Sequence, residues 1–175
     1  MNKTMIKYIL LLLLTTNAFA REKIANDCKR PNWDNHQWIK NAKGELCITN
    51  TRHWLLYVEG TDVVVNHKCQ VVAGKWKSFY SGVEITDPAN IQIDHLMPWA
   101  EMKRRGVCKL KRDDIIDFYN DRNNLVIATT SENQKKSDKL ELPFEVSEEV
   151  KKEYKDRQFM FCLSRFGNNC DIFMQ

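Results

Sequence analysis

Residues 91–98, IQIDHLMP, decide the fold of this chain. Apolar and polar side chains alternate from Ile91 to His95, a pattern typical of a strand with one buried face. Pro98 has no backbone N–H to give to a sheet, so strand pairing is expected to stop before it. The sequence therefore predicts a strand that ends in an adjacent carboxylate and imidazole, Asp94 and His95.

The rest of the chain predicts short strands and helices. Apolar, β-prone runs predict strands at 54–58, 63–65, 69–76 and 125–128. Helix is an open alternative for the first of these runs. Cap and breaker residues predict helices at 99–105, from Asp113, from the N-cap Ser131 and at 147–163. The expected fold class is α+β, in a single domain over residues 21–175.

The first 20 residues predict a secretory signal peptide. Lys3 and Lys7 precede the apolar run 9–14, and the small residues of the segment 18–20 follow, which is the order of a signal cleaved after Ala20. The apolar run is too short to span a bilayer comfortably, although an uncleaved anchor is the alternative. We expect a secreted or periplasmic protein without stable membrane association after cleavage.

The cysteine content predicts disulfides. The six cysteines all lie after the predicted cleavage site, and an even number in an exported chain favours pairing, because that compartment is oxidising. Six cysteines allow fifteen pairings, so the connectivity stays open. Proximity alone suggests Cys47 with Cys69 and Cys162 with Cys170, and the remaining two are Cys28 and Cys108.

The net charge does not indicate a strongly basic protein. Removal of the two signal lysines takes the formal charge from +4 to +2. Residues 102–112 nevertheless carry six basic side chains and no acidic one, directly after the Asp94–His95 pair. A solvated surface is the ordinary reading of such a run. Its position makes Arg104 and Arg105 candidate contacts for nucleic-acid phosphates.

Five residues together could hydrolyse a phosphodiester. His95 suits the role of general base, because its unperturbed pKa lies near neutrality. Asp94 and Asn133 offer oxygen ligands, which suit one Mg²⁺ or Mn²⁺ ion better than zinc. Asn124 could orient the imidazole. Lys136, one turn after Asn133, could meet a phosphate near the start of its helix.

The motifs 93–98 (IDHLMP), 123–125 (NNL) and 133–139 (NQKKSDK) resemble the HNH, or His-Me finger, endonucleases. The chain is most similar to exported members with an Asp-His-x-x-Pro motif and a later Asn-x-x-Lys-x-Asp motif. Asn124 and Asn133 keep the nine-residue interval of that family. The likeness extends more loosely back to about Cys47.

The resemblance implies a ββα-metal core over about residues 91–140, with additional short strands and helices. It assigns His95 as the general base, Asp94 and Asn133 as ligands of a single metal ion, and Asn124 as the residue that steadies the loop and the base. We expect a monomeric endonuclease that acts chiefly on DNA, with little sequence preference because the chain shows no clear base-reading elements. Action on RNA and an inactive secreted binding protein of the same fold are the alternatives.

Overall fold

The chain forms small antiparallel sheets and several helices. A computed structural model describes residues 28–34, 36–167 and 170; the expected signal peptide lies outside these ranges. The strands are β1 (Gln37–Lys40), β2 (Leu46–Thr49), β3 (Thr61–Val65), β4 (Val71–Lys77), β5 (Glu84–Ile85), β6 (Ile91–His95) and β7 (Leu125–Thr129). The helices are α1 (Thr51–Glu59), α2 (Trp99–Arg104), α3 (Arg112–Tyr119), α4 (Thr130–Lys136) and α5 (Glu148–Phe166). The expected α+β class is confirmed.

Strands β6 and β7 pair antiparallel and are followed at once by α4. The register sets Asp94 opposite Val126 and His95 opposite Leu125. Helix α4 contacts both strands. The predicted strand at 91–95 is confirmed, and the predicted strand at 125–128 is confirmed with one further residue. The candidate residues therefore lie on one strand–strand–helix unit.

The buried apolar residues form three clusters. One joins α1 and the strands β4, β6 and β7 around Trp76. A second joins the two short helices after β6 to α5 around Phe118 and Phe161. The third lies beside the strand–strand–helix unit and contains Tyr80, Leu96 and Tyr154. Because β6 contributes to the first cluster and the segment after it to the others, its end lies where the packing units meet.

The predicted strand at 54–58 is wrong, because this segment lies in helix α1, the alternative that the sequence left open. The side chain of Asn50 caps the helix by accepting a hydrogen bond from His53 N at 2.9 Å. Leu55 and Leu56 are both buried against the first cluster. Their adjacent burial on a nine-residue helix produced an apolar run that resembles a strand.

The predicted N-cap Ser131 is also wrong, since the N-cap of α4 is Thr129, two residues earlier. The Thr129 hydroxyl accepts a hydrogen bond from Glu132 N, and the Glu132 carboxylate accepts one from Thr129 N. This reciprocal pair is a capping box. The predicted N-terminus of α5 is confirmed, with Ser147 as its cap.

Three disulfides connect these elements. The bonds Cys47–Cys69 and Cys162–Cys170 confirm the pairings suggested by proximity. Cys28–Cys108 links the segment before β1 to the turn after α2, across a sequence separation of 80 residues. Within the described ranges, the helices are too short or too polar for any of them to cross a membrane.

Candidate functional site

His95 ends β6, and its imidazole is held by the backbone of Tyr119 at the end of α3. The ring atom Nε2 lies 2.8 Å from the Tyr119 carbonyl oxygen. A carbonyl oxygen can only accept, so Nε2 carries the ring proton and Nδ1 keeps its lone pair. The geometry therefore favours the tautomer in which Nδ1 can receive a proton.

Two aromatic rings pack against this imidazole and against each other, since the Trp33 and Tyr119 ring centroids lie 5.4 Å apart. Trp33 stacks on it with ring centroids 5.6 Å apart and an interplanar angle of 5°, and the Tyr119 ring lies at 4.3 Å. His95 is 5% exposed as a result. Burial lowers the pKa of His95 to about 3 against the opposing hydrogen bond to Tyr119, and the charges of Arg30 and Lys136 act in the same direction as burial. The imidazole is therefore neutral near pH 7.

Asn124 fixes the chain just after His95 instead of the imidazole itself. Its side chain accepts a hydrogen bond from Met97 N at 2.7 Å and donates one to Met97 O at 3.0 Å. Its carbonyl also accepts from Leu96 N at 2.9 Å. Asn124 is fully buried, so these bonds are shielded from water. Its predicted contact with the imidazole is wrong, because Tyr119 makes that contact.

The Asp94 carboxylate points to the opposite side of β6 and is enclosed. Its two oxygens lie 3.2 and 3.1 Å from Lys136 Nζ, and one of them also accepts a short hydrogen bond from the Tyr80 hydroxyl. Asp94 is 4% exposed, and burial raises its pKa above the usual range against the effects of Lys136 and Tyr80. The carboxylate is thus occupied by donors of the chain itself.

Lys136 is not placed to meet a phosphate, which corrects its predicted role. Its side chain is fully buried at the end of α4, and Nζ donates to Asp94 and, at 2.8 Å, to His95 O. Spacing along a helix indicates which face a side chain occupies, but not whether that face is covered. Here the third cluster and β6 cover it.

The predicted ligand pair does not fit a metal ion as it is arranged here. Mg²⁺ requires a near-octahedral set of oxygens, whereas both Asp94 oxygens accept hydrogen bonds from Lys136 or Tyr80. Asn133 is half-buried on α4. Among the described residues, no group of three or more His, Cys, Asp or Glu side chains could hold a metal ion.

The two arginines predicted to contact phosphates both pair with one acid, Glu101. Arg105 Nε lies 2.8 Å from a Glu101 carboxylate oxygen, and the Arg105 side chain is 6% exposed. Arg105 is therefore buried and does not present a cation to solvent, which corrects its prediction. Arg104 is exposed but also binds Glu101, with its Nη2 at 2.6 Å.

Sequence reasoning missed the residues that surround His95. Trp33 and Arg30 precede it by more than sixty positions, and Tyr119 follows on another helix. Arg30 Nε donates to the Tyr119 hydroxyl at 2.6 Å, and its guanidinium lies 5.2 Å from the Tyr119 ring centroid. Only the disulfide Cys28–Cys108 could have indicated that this segment lies near His95. The sequence leaves the cysteine pairing open.

A cleft of about 380 Å³ lies elsewhere, between α1, β4, β7 and α5. Its charged rim is internally paired, since Arg122 binds Glu59 at 2.7 Å and Arg157 lies 3.7 Å from Glu153. Neither His95 nor Asp94 lines it. The cleft is therefore separate from the candidate base.

The class that the fold and site define is an α+β protein with three disulfides and a neutral, backbone-held histidine on a strand–strand–helix unit. No family model matches the chain, and no solved structure matches it. The chain is similar to an uncharacterised secreted protein of Arthroderma benhamiae, with 33% identity over 91 residues. The match covers 51% of this chain and 45% of the relative, so the chain spans about half the length of the curated relative that it matches.

Proposed function

We propose that this chain is an exported endonuclease of the HNH class that hydrolyses phosphodiester bonds in DNA. In this proposal β6, β7 and α4 are the ββα core, and His95 is the general base. The resemblance of the motifs around Asp94, Asn124 and Asn133 supports the class. The strand–strand–helix order and register support it further.

The observation that carries the proposal is the hydrogen bond between His95 Nε2 and the Tyr119 carbonyl, 2.8 Å long. It fixes the proton on Nε2 and leaves Nδ1 as an acceptor on a neutral ring. A general base needs both properties at once. The hydrogen bonds from Asn124 to the Met97 backbone support the same role, because they fix the chain that follows the base.

The reaction follows from that geometry. His95 Nδ1 takes a proton from water, and the resulting hydroxide oxygen attacks phosphorus. The bond from phosphorus to the 3′ oxygen then breaks, and that oxygen takes a proton from solvent. The products are a 5′-phosphate and a 3′-hydroxyl, as the resemblance implies.

Dependence on one Mg²⁺ or Mn²⁺ ion stays a prediction from the resemblance. Asp94 binds Lys136 in the present arrangement, so the steps above involve no metal. Cleavage with magnesium and with chelator tests this point separately from the role of His95.

Export is supported by two observations. The similar protein of Arthroderma benhamiae is named as secreted. All cysteines of this chain are paired in disulfides, which form in oxidising compartments.

The first prediction concerns His95. Mature, oxidised protein should cleave supercoiled plasmid, and His95→Ala should lower the rate by about 10²–10⁴, the usual contribution of a general base. His67→Ala is the matched control, because His67 is exposed and distant in sequence from the motifs. Its rate should equal that of the unchanged protein.

Equal plasmid cleavage by His95→Ala and His67→Ala would contradict the proposed function. The same comparison on structured RNA separates a DNA nuclease from one that acts mainly on RNA. Complete absence of cleavage on both substrates, with DNA binding retained, would favour the inactive binding protein. The enclosed Asp94 carboxylate is the observation in favour of that second candidate.

A further inference from the structure

Residues 28–34, here called the strap, cross the molecule next to His95. The disulfide Cys28–Cys108 anchors one end of the strap. At the other end, Asp34 N donates to Asn120 Oδ1 at 2.9 Å, and Asp34 O accepts from Thr51 N, at the start of α1, at 2.7 Å. The strap is therefore fixed at both ends beside the candidate base.

Hydrogen bonds also fix the middle of the strap. Arg112 Nη1 donates to the Lys29 carbonyl at 3.0 Å, and Asn120 Nδ2 donates to the Asn32 carbonyl at 3.3 Å. Arg30 lies between these two points, so its backbone position is fixed. Less conformational entropy is then lost when the Arg30 side chain binds a ligand.

Arg30 and His95 are held by the same residue. Tyr119 binds His95 through its carbonyl and its ring face, and it accepts a hydrogen bond from Arg30 Nε through its hydroxyl. The Arg30 charge contributes to the lowered pKa of His95, after burial. The Tyr119 ring centroid lies 4.3 Å from the imidazole centroid and 5.2 Å from the central carbon of the Arg30 guanidinium, so both groups can reach one bound phosphodiester.

The Arg30 guanidinium has donors to spare. It carries five N–H groups, and Tyr119 accepts one of them. Arg30 is exposed, and among the described residues no carboxylate pairs with it. Lys136 and Arg105, by contrast, are buried against acids.

We propose that Arg30 binds the substrate phosphate next to the one that His95 acts on, or that phosphate itself, as the principal exposed cation of the site. The inference rests on the proposed function, because it takes a nucleic-acid phosphodiester as the ligand. A guanidinium suits this task, since its forked N–H groups match two phosphate oxygens. The Tyr119 hydroxyl orients the fork by holding Nε.

The test measures DNA binding without cleavage. The His95→Ala protein, mature and oxidised, is titrated with a fluorescent DNA duplex at several salt concentrations. Adding Arg30→Gln should weaken binding about tenfold near 0.1 M salt and make the slope of log K against log salt less negative by about 0.9, the loss of one phosphate contact. Arg30→Lys should retain most of the slope.

Lys152→Gln, also in the His95→Ala protein, is the matched control. It removes the same charge from an exposed position on α5, where Lys152 pairs with Asp156 at 2.6 Å. Its salt slope should not change. A structural role for Arg30 would lower thermal stability without moving the slope, so both are measured.

An Arg30→Gln slope equal to that of the Lys152→Gln control would overturn the inference. The proposed nuclease function would then be tested by plasmid cleavage alone. Failure of the His95→Ala protein to bind DNA at any salt concentration would overturn the role of Arg30 in DNA binding. Cleavage by the unchanged protein decides the function independently.

Discussion

At the residue scale, the environment of His95 has two opposing effects on its action as a general base. Burial under Trp33 keeps the imidazole neutral well into the acid range, which preserves its capacity to accept a proton. A low pKa also makes the ring a weaker base, because proton-transfer efficiency is greatest when the pKa lies near the working pH. A bound phosphate near Arg30 would partly offset this, since its negative charge stabilises imidazolium.

Asn124→Ala gives a residue-scale prediction. The substitution removes both hydrogen bonds to Met97 and leaves a buried N–H and a buried C=O without those partners. We expect the free energy of unfolding to fall by about 2–4 kcal/mol, measured by urea denaturation. The neighbour Asn123→Ala is the control, because Asn123 is exposed and its described bonds involve only its backbone. A comparable loss of unfolding free energy in both variants would contradict the role of the Asn124 side chain in fixing the chain after His95.

Residue roles were predictable from the sequence only where local chemistry decides them. The strand-end position of Asp94 and His95 follows from alternation, which the sequence contains. The burial of Lys136 does not, because it depends on how β6 packs on α4. Likewise, Arg30 and Tyr119 lie near His95 through tertiary contacts between segments about ninety residues apart.

At the element scale, α4 depends on its first turn. A seven-residue helix is too short to be stable alone, so its cap and its packing must stabilise it. Glu132 connects the capping box to the loop after β4, because one of its oxygens also accepts from the Ser78 hydroxyl at 2.6 Å. The cap therefore positions the helix against the strand pair as well as starting it.

Thr129→Ala and Ser131→Ala test the start of this helix. Thr129→Ala removes the hydroxyl that accepts from Glu132 N and should cost about 1 kcal/mol of unfolding free energy. Ser131 is exposed within the first turn, so Ser131→Ala should change the value by less than about 0.5 kcal/mol. Thermal or urea unfolding measures both. A larger loss of unfolding free energy for Ser131→Ala than for Thr129→Ala would support Ser131 as the N-cap, as predicted from the sequence.

The longest helix was predictable from its N-terminal cap, whereas a short helix at a packing junction was not. Helix α5 was predicted at 147–163 and extends from Glu148 to Phe166, because Ser147 supplies a strong local cap. Helix α1 was first assigned as a strand, since two adjacent apolar residues fit either structure. Its identity is decided by the Asn50 cap and by packing around Trp76, where the indole donates to Leu56 O at 2.7 Å.

At the scale of the whole molecule, the disulfides differ in the length of chain that they close. Cys47–Cys69 joins β2 to the loop before β4 within one packing unit. Cys28–Cys108 joins the strap to the second cluster, across a far longer stretch of chain. Because Trp33 and Arg30 both lie on the strap, this bond acts with the strap's hydrogen bonds to couple the site to the rest of the fold.

Removal of the two longer disulfides should therefore have unequal effects. In the chain-entropy account, a disulfide stabilises the fold because it lowers the entropy of the unfolded chain. The contribution is about 4.5 kcal/mol for a separation of 80 residues and about 3.4 kcal/mol for one of 22 residues. The double variants Cys28→Ala with Cys108→Ala, and Cys47→Ala with Cys69→Ala, form a matched pair because all four cysteines are half-buried. Urea unfolding should show the first pair to be less stable by about 1 kcal/mol.

The first double variant should also lose the coupling between the strap and His95. With Cys28 unanchored, Trp33 can leave the imidazole more often, so the pKa of His95, measured by NMR, should rise toward its ordinary value. The variant that lacks Cys47 and Cys69 should leave that pKa unchanged, because its disulfide does not involve the strap. An unchanged His95 pKa in both variants would mean that hydrogen bonds to Asn120 and Arg112 are sufficient to hold the strap without its disulfide.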